Sequence, residues 1–393
     1  MKKILIVDDE TQILKAMTRL FTDTEYETIT SDNGTDALKL LETEKVDLII
    51  SDMKMPLMDG YGLLLKVKEM YPRIIRISLS GYTEENSMIK SYLHNIAALH
   101  IYKPWNNKEL LQNIDRLFTT DAVLNSSGLH QLANGISSFP IIPENCQKMV
   151  SLIEQEDLND LISEIEKDPE ISELLLKAAK SAIYGATPSS VKQAAVYIGL
   201  HNLKCFLYWA AMSNKHNWPD WAENEMAVLW KQACCTNNLL LFLYEAFLHK
   251  QPPEASLFAG LLHNVGFTVL YRNHLLQGTS ELKQSDINLK DLLALEMGEY
   301  QINHQELGAY LLNMWDLPFP AIEVALYHHR PLDPNIINTE LVSCVHIAQH
   351  YAWKVVDGKI NIELLPEAFH NIGITAKDFE EKLARYLKKG ICI

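Results

Sequence analysis

The chain has 393 residues, which is more than one compact core usually holds, so two domains are expected. Its apolar fraction of 48% and charged fraction of 22% are ordinary for folded protein and argue against long disordered tracts. The net charge of -15 at pH 7, together with the lack of a clustered Lys/Arg stripe, argues against direct binding to nucleic acid.

Residues 1–118 alternate short apolar runs with amphipathic segments. The runs predict five strands, at 4–7, 27–31, 46–51, 74–79 and 98–102. Runs that are apolar on both faces are typical of a parallel sheet with helices on either side. We therefore predict a doubly wound α/β domain that ends at Phe118. The segment 119–129, where Thr, Ser, Asn and Gly interrupt the periodicity, is interpreted as a linker or a frayed helix end.

From residue 130 to residue 350 apolar residues recur at helical spacing, and prolines stand at helix starts and turns. This pattern predicts an all-α second domain without strands. Residues 351–393 are predicted to form C-terminal helices, with a helix-start signal at Thr375 or Asp378. The sequence leaves open whether these helices close the second domain or form a partner surface.

The longest apolar stretch, at 238–248, is interrupted by Glu245 and is too short for a bilayer, which needs about 20 apolar residues. Near the N-terminus acids follow after only four apolar residues, which predicts no secretory signal. The six cysteines show no paired framework, and the adjacent Cys234 and Cys235 are interpreted as buried thiols. We therefore expect a cytoplasmic protein without membrane contact.

Three acids are predicted to meet at one edge of the first domain. Asp8 and Asp9 end the first strand and Asp52 ends the third, and the carboxyl ends of parallel strands share one rim. Mg2+ relieves the repulsion of such acids and suits one or two carboxylates, a carbonyl and waters. Ser80 and Lys103 end the fourth and fifth strands and add a hydroxyl and a cation. Asp52 is the favoured nucleophile toward phosphorus.

Four motifs of the first domain occur in one order: ILIVDDE, DLIISDMKMPLMDG, Ser-Gly after the fourth strand, and YKPW after the fifth. In residues and spacing they resemble the CheY-like receiver domain of response regulators. The resemblance covers 1–118 and implies a flavodoxin-like strand order of 2-1-3-4-5. It also implies Mg2+ bound by Asp8, Asp9, Asp52 and the backbone carbonyl of Lys54.

The same resemblance implies that a sensor histidine kinase phosphorylates Asp52 and that Ser80 and Lys103 hold the phosphoryl group. Receiver domains usually carry Tyr or Phe three residues before the lysine, a side chain that swings inward on activation. This chain has His100 there. We interpret His100 as a histidine at the rim of the site, with a switch of altered titration as the alternative.

Histidines are concentrated in the second domain at His263, His304, His328 and His329. The segments AGLLHNVG, HQELGAYLLNMWDLP and AIEVALYHHRP around them resemble the HD superfamily, whose members bind divalent metals and hydrolyse phosphoesters. The upstream segments FPIIPENCQKMVSLI, EKDPEISELLLKAAKSAIYG and AAVYIGLHNLKCFL resemble the HDOD domain, an HD relative found as an output module in signalling proteins. This resemblance covers residues 130–350.

Three positions expected to hold HD-type metal ligands carry amides instead, at Gln232, Asn264 and Gln349. A neutral amide neither compensates the charge of a metal ion nor readily bridges two ions. A two-metal hydrolytic site is therefore not expected, and no cofactor is expected in the helical domain. The remaining histidines are predicted to form hydrogen bonds inside helix junctions, with a single adventitious metal ion as the alternative.

The favoured interpretation is a two-component response regulator. In it, Mg2+-dependent phosphorylation of Asp52 switches a catalytically inactive HDOD domain that binds another protein. The rival interpretation is a receiver-gated HD phosphohydrolase acting on a nucleotide or a cyclic dinucleotide. A transcription factor is disfavoured because the chain has no recognisable DNA-binding motif. The sequence leaves open the cognate kinase, the downstream protein and whether the chain forms a homodimer.

Overall fold

The computed structural model describes residues 1–81, 94–135, 143–180, 188–213, 223–253, 256–272, 287–356 and 360–387. The chain divides into two units, Met1–Phe118 and Thr119–Ile393. Across the described ranges, no helix combines the length and apolar character that a membrane span requires.

A five-stranded parallel sheet forms the centre of the first unit. Its strands are β1 (Lys2–Val7), β2 (Tyr26–Ser31), β3 (Leu48–Asp52), β4 (Ile75–Ser80) and β5 (Leu99–Tyr102). They are ordered β2-β1-β3-β4-β5, and every neighbouring pair is parallel. Every residue of β3 is buried, as expected for a central strand covered on both faces. The predicted α/β fold and strand order are confirmed.

Four described helices connect and flank these strands: α1 (Thr11–Phe21), α2 (Gly34–Thr43), α3 (Gly60–Met70) and α4 (Asn107–Leu124). Short polar side chains fix the starts of two of them. Asn33 accepts a hydrogen bond from the backbone N–H of Asp36 at 2.8 Å, which caps α2. Asp59 accepts a hydrogen bond from the backbone N–H of Gly62 at 2.8 Å and caps α3 in the same way, so α3 begins at Gly60.

The segment 119–129, predicted as a linker, is mostly helical. Helix α4 continues to Leu124, and α5 (Ser127–Gly135) begins three residues later. The polar residues that suggested a loop instead terminate one helix and start the next. Asn125 Nδ2 donates to the backbone carbonyl of Asp121 at 3.0 Å, and Ser126 Oγ accepts from the N–H of Leu129 at 3.5 Å.

The second unit is mostly helical. Beyond α5 its described helices are α6 (Glu144–Glu154), α7 (Leu158–Glu166), α8 (Pro169–Lys180), α9 (Val191–Ile198), α10 (Leu200–Ser213), α11 (Glu223–Leu243), α12 (Ala259–Leu262), α13 (Gly266–Arg272), α14 (Leu289–Tyr300), α15 (His304–Met314), α16 (Phe319–Tyr327), α17 (Thr339–Val356), α18 (Glu367–Asn371) and α19 (Ala376–Leu387). A π-helical turn, Tyr244–Leu248, follows α11. Two parts of the segments that resemble the HDOD domain lie outside the described residues. They are FPII at 139–142 and SAIYG at 181–185.

The expectation of a second domain without strands is wrong in one detail. Strands β6 (Ile287–Asn288) and β7 (Ile360–Asn361) form a small parallel sheet. Each has only two residues, which is too short for the alternation of apolar and polar residues that identifies a strand in a sequence.

The C-terminal helices pack onto the second unit. Phe379 of α19 is fully buried, and its ring lies 6.2 Å from that of Phe242 in α11 and 4.9 Å from that of Tyr351 in α17. The Tyr351 hydroxyl also donates to Glu380 at 2.7 Å. These contacts place the buried face of α19 in the core of the unit.

Candidate phosphorylation site and buried histidine cluster

Lys103 joins the ends of two strands that are far apart in the sequence. Its Nζ donates to Oδ2 of Asp8 at 2.8 Å and also forms an ion pair with Oδ1 of Asp52. Asp8 follows β1, Asp52 ends β3, and both are buried. Because β1 lies beside β3 in the sheet, the rim predicted from the sequence brings these three side chains together.

Burial and charge act in opposite directions on this group. Burial raises the pKa of Asp52, while the Lys103 ammonium and the backbone N–H of Lys54 oppose the increase. Burial also opposes the charge of Lys103, but its bonds to Asp52 and Asp8 outweigh burial and raise the pKa of Lys103. One ammonium thus serves two buried carboxylates. The remaining negative charge suits a hard divalent cation, so the residues present fit Mg2+.

Ser80, the last residue of β4, lies at the same edge of the sheet. Ser80 is fully buried, and its Oγ has no hydrogen-bond partner within the described residues. A buried hydroxyl without a partner costs free energy, so this position suits an incoming acceptor oxygen. Lys54 donates its backbone N–H to Oδ2 of Asp52 at 2.8 Å. Asp9 is exposed and lies outside the buried pair, so its role as a metal ligand stays a prediction, as does that of the Lys54 carbonyl.

His100 is held by the neighbouring strand. It lies opposite Ser78 in the register of β4 and β5, and its Nδ1 is 2.6 Å from the Ser78 hydroxyl. The sequence did not suggest this cross-strand contact. The role of His100 in switching stays a prediction, and residues 82–93, which follow the Ser80 strand, lie outside the described part of the chain.

The residues of the predicted degenerate HD site meet inside the second unit. Helix α11 supplies Gln232, the end of α12 supplies His263 and Asn264, α15 begins with His304, the end of α16 supplies His328 and His329, and α17 supplies Gln349. All seven are buried. The ring centroids of His263 and His328 are 5.1 Å apart, and those of His328 and His329 are 4.0 Å apart.

Two of the amides form a hydrogen-bonded network. Asn264 Nδ2 donates to Oε1 of Gln232 at 3.2 Å, and Gln232 Nε2 donates to Oγ1 of Thr236 at 2.8 Å. The same Gln232 nitrogen lies 3.4 Å from Nε2 of His263. These groups bring no negative charge, and the Gln232 oxygen already accepts a hydrogen bond. The residues present therefore do not fit the two-metal site of the HD superfamily.

The other half of the cluster contains three histidines and one amide. Nε2 of His304 lies 3.1 Å from Nε2 of His329, and Nδ1 of His328 lies 2.9 Å from the carbonyl oxygen of Ala325. Gln349 Nε2 donates to the His328 carbonyl at 2.8 Å. Burial lowers the pKa of both His328 and His329 well below the usual range, and neighbouring imidazoles add to the effect. Both imidazoles are therefore neutral at pH 7.

Sequence reasoning missed a buried carboxylate beside this cluster. Glu296 of α14 is fully buried and accepts hydrogen bonds from the backbone N–H of His304 and from its Nδ1, both at 2.9 Å. Phe267 stacks on the face of the His304 ring, with ring centroids 4.0 Å apart. The sequence signal for Glu296 is an acid in the otherwise apolar run LLALE, eight residues before a histidine. A buried acid in such a run needs a partner.

Comparison with known families agrees with both resemblances. Residues 4–115 match the family model of the response regulator receiver domain, and residues 139–331 match that of the HDOD domain. A crystal structure of an HDOD domain protein of unknown function from Geobacter sulfurreducens covers 67% of this chain and 94% of its own chain, with 17% identity and a TM-score of 0.51. At that identity the likeness shows the fold alone.

Two curated relatives match the first unit. The sporulation initiation phosphotransferase F of Bacillus subtilis is 35% identical over 109 residues, which are 28% of this chain and 87% of that protein. The hydrogenase transcriptional regulatory protein HoxA of Bradyrhizobium diazoefficiens is 35% identical over 111 residues, also 28% of this chain but only 23% of HoxA. This chain thus spans about a quarter of HoxA. It belongs to the two-component response regulators, with a receiver domain followed by an HDOD output domain.

Proposed function

We propose that this protein is a phosphorylation-controlled adaptor. A sensor histidine kinase phosphorylates Asp52 in a Mg2+-dependent reaction, and the receiver then alters the availability of a catalytically inactive HDOD domain that binds another protein. The observation that carries the proposal is the Lys103 ammonium shared by Asp8 and Asp52, at the rim that also holds the Ser80 hydroxyl, which has no partner among the described residues.

The chemistry follows from the groups at this rim. A carboxylate oxygen of Asp52 attacks the phosphorus of a phosphohistidine, the P–N bond breaks, and the electron pair returns to the imidazole of the kinase. The product on Asp52 is an acyl phosphate. Lys103 lies close enough to stabilise the phosphoryl oxygens, and the Ser80 hydroxyl, which bonds to none of the described residues, can donate to one of them. Asp8, Asp9, Asp52 and the Lys54 carbonyl would hold Mg2+, which would supply further positive charge when bound.

The new phosphoryl group supplies the free energy of the switch. It adds about 1.5 to 2 negative charges and three acceptor oxygens. Moving a two-state domain from about 1:99 to 99:1 requires about 5.5 kcal/mol of differential interaction, whereas one neutral hydrogen bond contributes about 1 kcal/mol. The contact with Ser80 is therefore too weak alone, and the charged contacts with Lys103 and Mg2+ provide most of the difference.

An inactive output domain is supported by the amides at Gln232, Asn264 and Gln349. With neutral side chains at these positions, the cluster lacks the bridging carboxylate that a two-metal phosphohydrolase uses to hold its ions and activate water. A phosphodiester hydrolysis assay tests this part of the proposal. Metal-dependent turnover that disappears in His263→Ala would show that the protein is instead a receiver-gated phosphohydrolase.

The phosphorylation site is tested by treating the full-length protein with acetyl phosphate and Mg2+ and measuring its intact mass. We expect one phosphoryl group in the wild type, released by hydroxylamine as an acyl phosphate is, and none in Asp52→Asn. Asp23→Asn, which changes an exposed acid of the same domain, is the matched control and should be modified like the wild type. Full modification of Asp52→Asn would refute the assigned site.

A further inference from the structure

We propose that buried side chains from four helices form a one-way hydrogen-bond chain inside the HDOD domain. The chain runs from Gln349 of α17 through His329, at the end of α16, and His304 of α15 to the carboxylate of Glu296 in α14. Gln349 sets its direction, and through it the ring nitrogen of His329 that carries the proton. This inference goes beyond the proposed function and does not depend on phosphorylation of Asp52.

The amide of Gln349 begins the chain, and a backbone carbonyl fixes its orientation. Gln349 Nε2 lies 2.8 Å from the carbonyl oxygen of His328, which can only accept, so the amide nitrogen and not the amide oxygen faces it. The same nitrogen lies 3.3 Å from Nδ1 of His329. An amide nitrogen carries two protons, one for each of these acceptors. Nδ1 of His329 is therefore unprotonated.

The proton of His329 then lies on its other ring nitrogen. Burial lowers the pKa of His329 well below the usual range, so the ring is neutral at pH 7. A neutral imidazole carries one proton, which Nε2 must hold because Nδ1 accepts from Gln349. Nε2 of His329 lies 3.1 Å from Nε2 of His304 and donates to it. Neither of these two facing nitrogens keeps a free lone pair.

The other end of the chain fixes the same direction independently. Oε2 of Glu296 lies 2.9 Å from both the backbone nitrogen and Nδ1 of His304. An ionised carboxylate can only accept, so the proton of the His304 ring lies on Nδ1, and its Nε2 is an acceptor. The proton on Nε2 of His329 requires this same acceptor. Gln349 and Glu296 share no contact in the chain, yet they assign the same proton positions.

The direction of the chain requires an amide at position 349. A carboxylate there would place acceptor oxygens against the His328 carbonyl and against Nδ1 of His329. The His329 proton would then move to Nδ1, and its bare Nε2 would face the bare Nε2 of His304. Buried acceptors that face each other without a proton are destabilising, whereas the links of a complete chain strengthen one another in the interior. Gln349 thus joins α17 to α14 through two imidazoles.

Nitrogen-15 NMR of full-length protein labelled at histidine measures the proton positions, because the chemical shift of each ring nitrogen reports whether it is protonated. The protein is kept in buffer with a chelator at pH 7, and single His→Gln variants assign the signals. We expect His329 to carry its proton on Nε2. We expect His304 and His328 to carry theirs on Nδ1, since Nδ1 of His328 lies 2.9 Å from the carbonyl oxygen of Ala325.

Gln349→Glu tests the residue that sets the direction. It should move the His329 proton from Nε2 to Nδ1. Gln305→Glu is the matched control, because Gln305 is also buried and donates its Nε2 to a backbone carbonyl, that of Leu326 at 3.0 Å, but takes no part in the chain. This variant introduces the same buried acid and should leave the His329 proton on Nε2.

A proton on Nδ1 of His329 in the wild type would overturn the inference, and this measurement needs no variant. A folded Gln349→Glu protein that keeps the His329 proton on Nε2 would also overturn it. If Gln349→Glu does not fold, the proton positions of His329 and His304 in the wild type decide alone.

Discussion

A Cβ atom on Gly60 would lie 2.0 Å from the backbone carbonyl oxygen of Asp52. No real Cβ atom approaches an oxygen so closely, so the start of α3 can pack against the end of β3 only because residue 60 is glycine. The N–H of Gly60 also donates to the carbonyl of Met53 at 3.1 Å. The backbone on either side of the phosphoacceptor is thus held by the first residue of α3.

Gly60→Ala should therefore destabilise the receiver domain, by about 1–3 kcal/mol, because either α3 or the Asp52 backbone must move. The same movement should lower the rate of phosphorylation by acetyl phosphate. Urea unfolding and intact-mass kinetics measure the two effects. Gly62→Ala is the matched control, since its Cβ would meet only the Asp59 carboxylate at 3.1 Å and Met58 at 3.9 Å, both side chains. Equal losses in the two variants would contradict the close packing at Gly60.

Lys103→Met should make the stability of the receiver depend strongly on Mg2+. Without the ammonium, the buried Asp8 and Asp52 carboxylates face each other unpaired, which should cost about 1–3 kcal/mol in metal-free buffer. Mg2+ should restore more stability to the variant than to the wild type and should bind it more tightly, because the ammonium no longer competes for the same oxygens. Unfolding at several Mg2+ concentrations and calorimetric titration measure both quantities.

The control for this prediction is Lys39→Met, which removes an exposed cation paired with Asp36 three residues earlier in α2. Such surface pairs contribute little, so its stability should change by less than about 0.5 kcal/mol at every Mg2+ concentration. If Lys103→Met is as stable as Lys39→Met in metal-free buffer, Lys103 does not neutralise the two acids.

The rim of the receiver was predictable because apolar runs fix where strands end, and parallel strands end at one edge. The individual contacts were not. Asp8 and Asp9 both follow the last residue of β1, and the apolar runs do not say which of them is buried. In the structure Asp8 is buried and Asp9 is exposed. The contact between His100 and Ser78 depends on the strand register, which the apolar runs leave undetermined.

In the HDOD domain the seven site positions were found by resemblance, but their partners were not. Glu296 meets His304 only because the chain turns between α14 and α15, and eight residues of spacing do not specify that turn. Strands β6 and β7 are too short for any periodicity. In the segment 119–129 the sequence did not specify the helices, since Asn125 and Ser126 favour loops and also serve as helix-terminating and capping residues.

Gly266→Ala should destabilise the HDOD domain, by about 3 kcal/mol, because a Cβ there would lie 1.9 Å from the carbonyl oxygen of His304 and 2.8 Å from the nitrogen of Gly308. Both neighbours are backbone atoms of α15, so neither can move alone. Gly298→Ala is the contrasting change, because its Cβ would have no atom within 4 Å and residue 298 is exposed in α14. It should raise stability by up to about 1 kcal/mol through helix propensity. Thermal unfolding of the two variants should move in opposite directions.

The stability of the HDOD domain should fall as the pH drops below about 6.5, in part because of His350. Burial lowers the pKa of His350, and Lys354 adds to the effect, while the hydrogen bond to the Ile362 carbonyl and the charge of Glu380 oppose it. The unfolded imidazole takes up its proton near the ordinary value of 6.5, and the folded imidazole only at lower pH. Between the folded and the unfolded pKa of His350, the unfolded chain holds more protons than the folded chain. Lowering the pH therefore favours unfolding.

His350→Gln removes this proton but keeps an N–H donor for the Ile362 carbonyl. Its free energy of unfolding should therefore fall less steeply than that of the wild type between pH 7.5 and pH 5.5. These pH values lie about one unit on either side of the ordinary imidazole pKa of 6.5. The difference in slope is limited to about 1.4 kcal/mol per pH unit for one proton. His370→Gln changes an exposed histidine and should leave the wild-type slope intact. Urea unfolding across this range decides the point, because a wild-type slope in His350→Gln would mean that this imidazole is protonated equally in the folded and unfolded states.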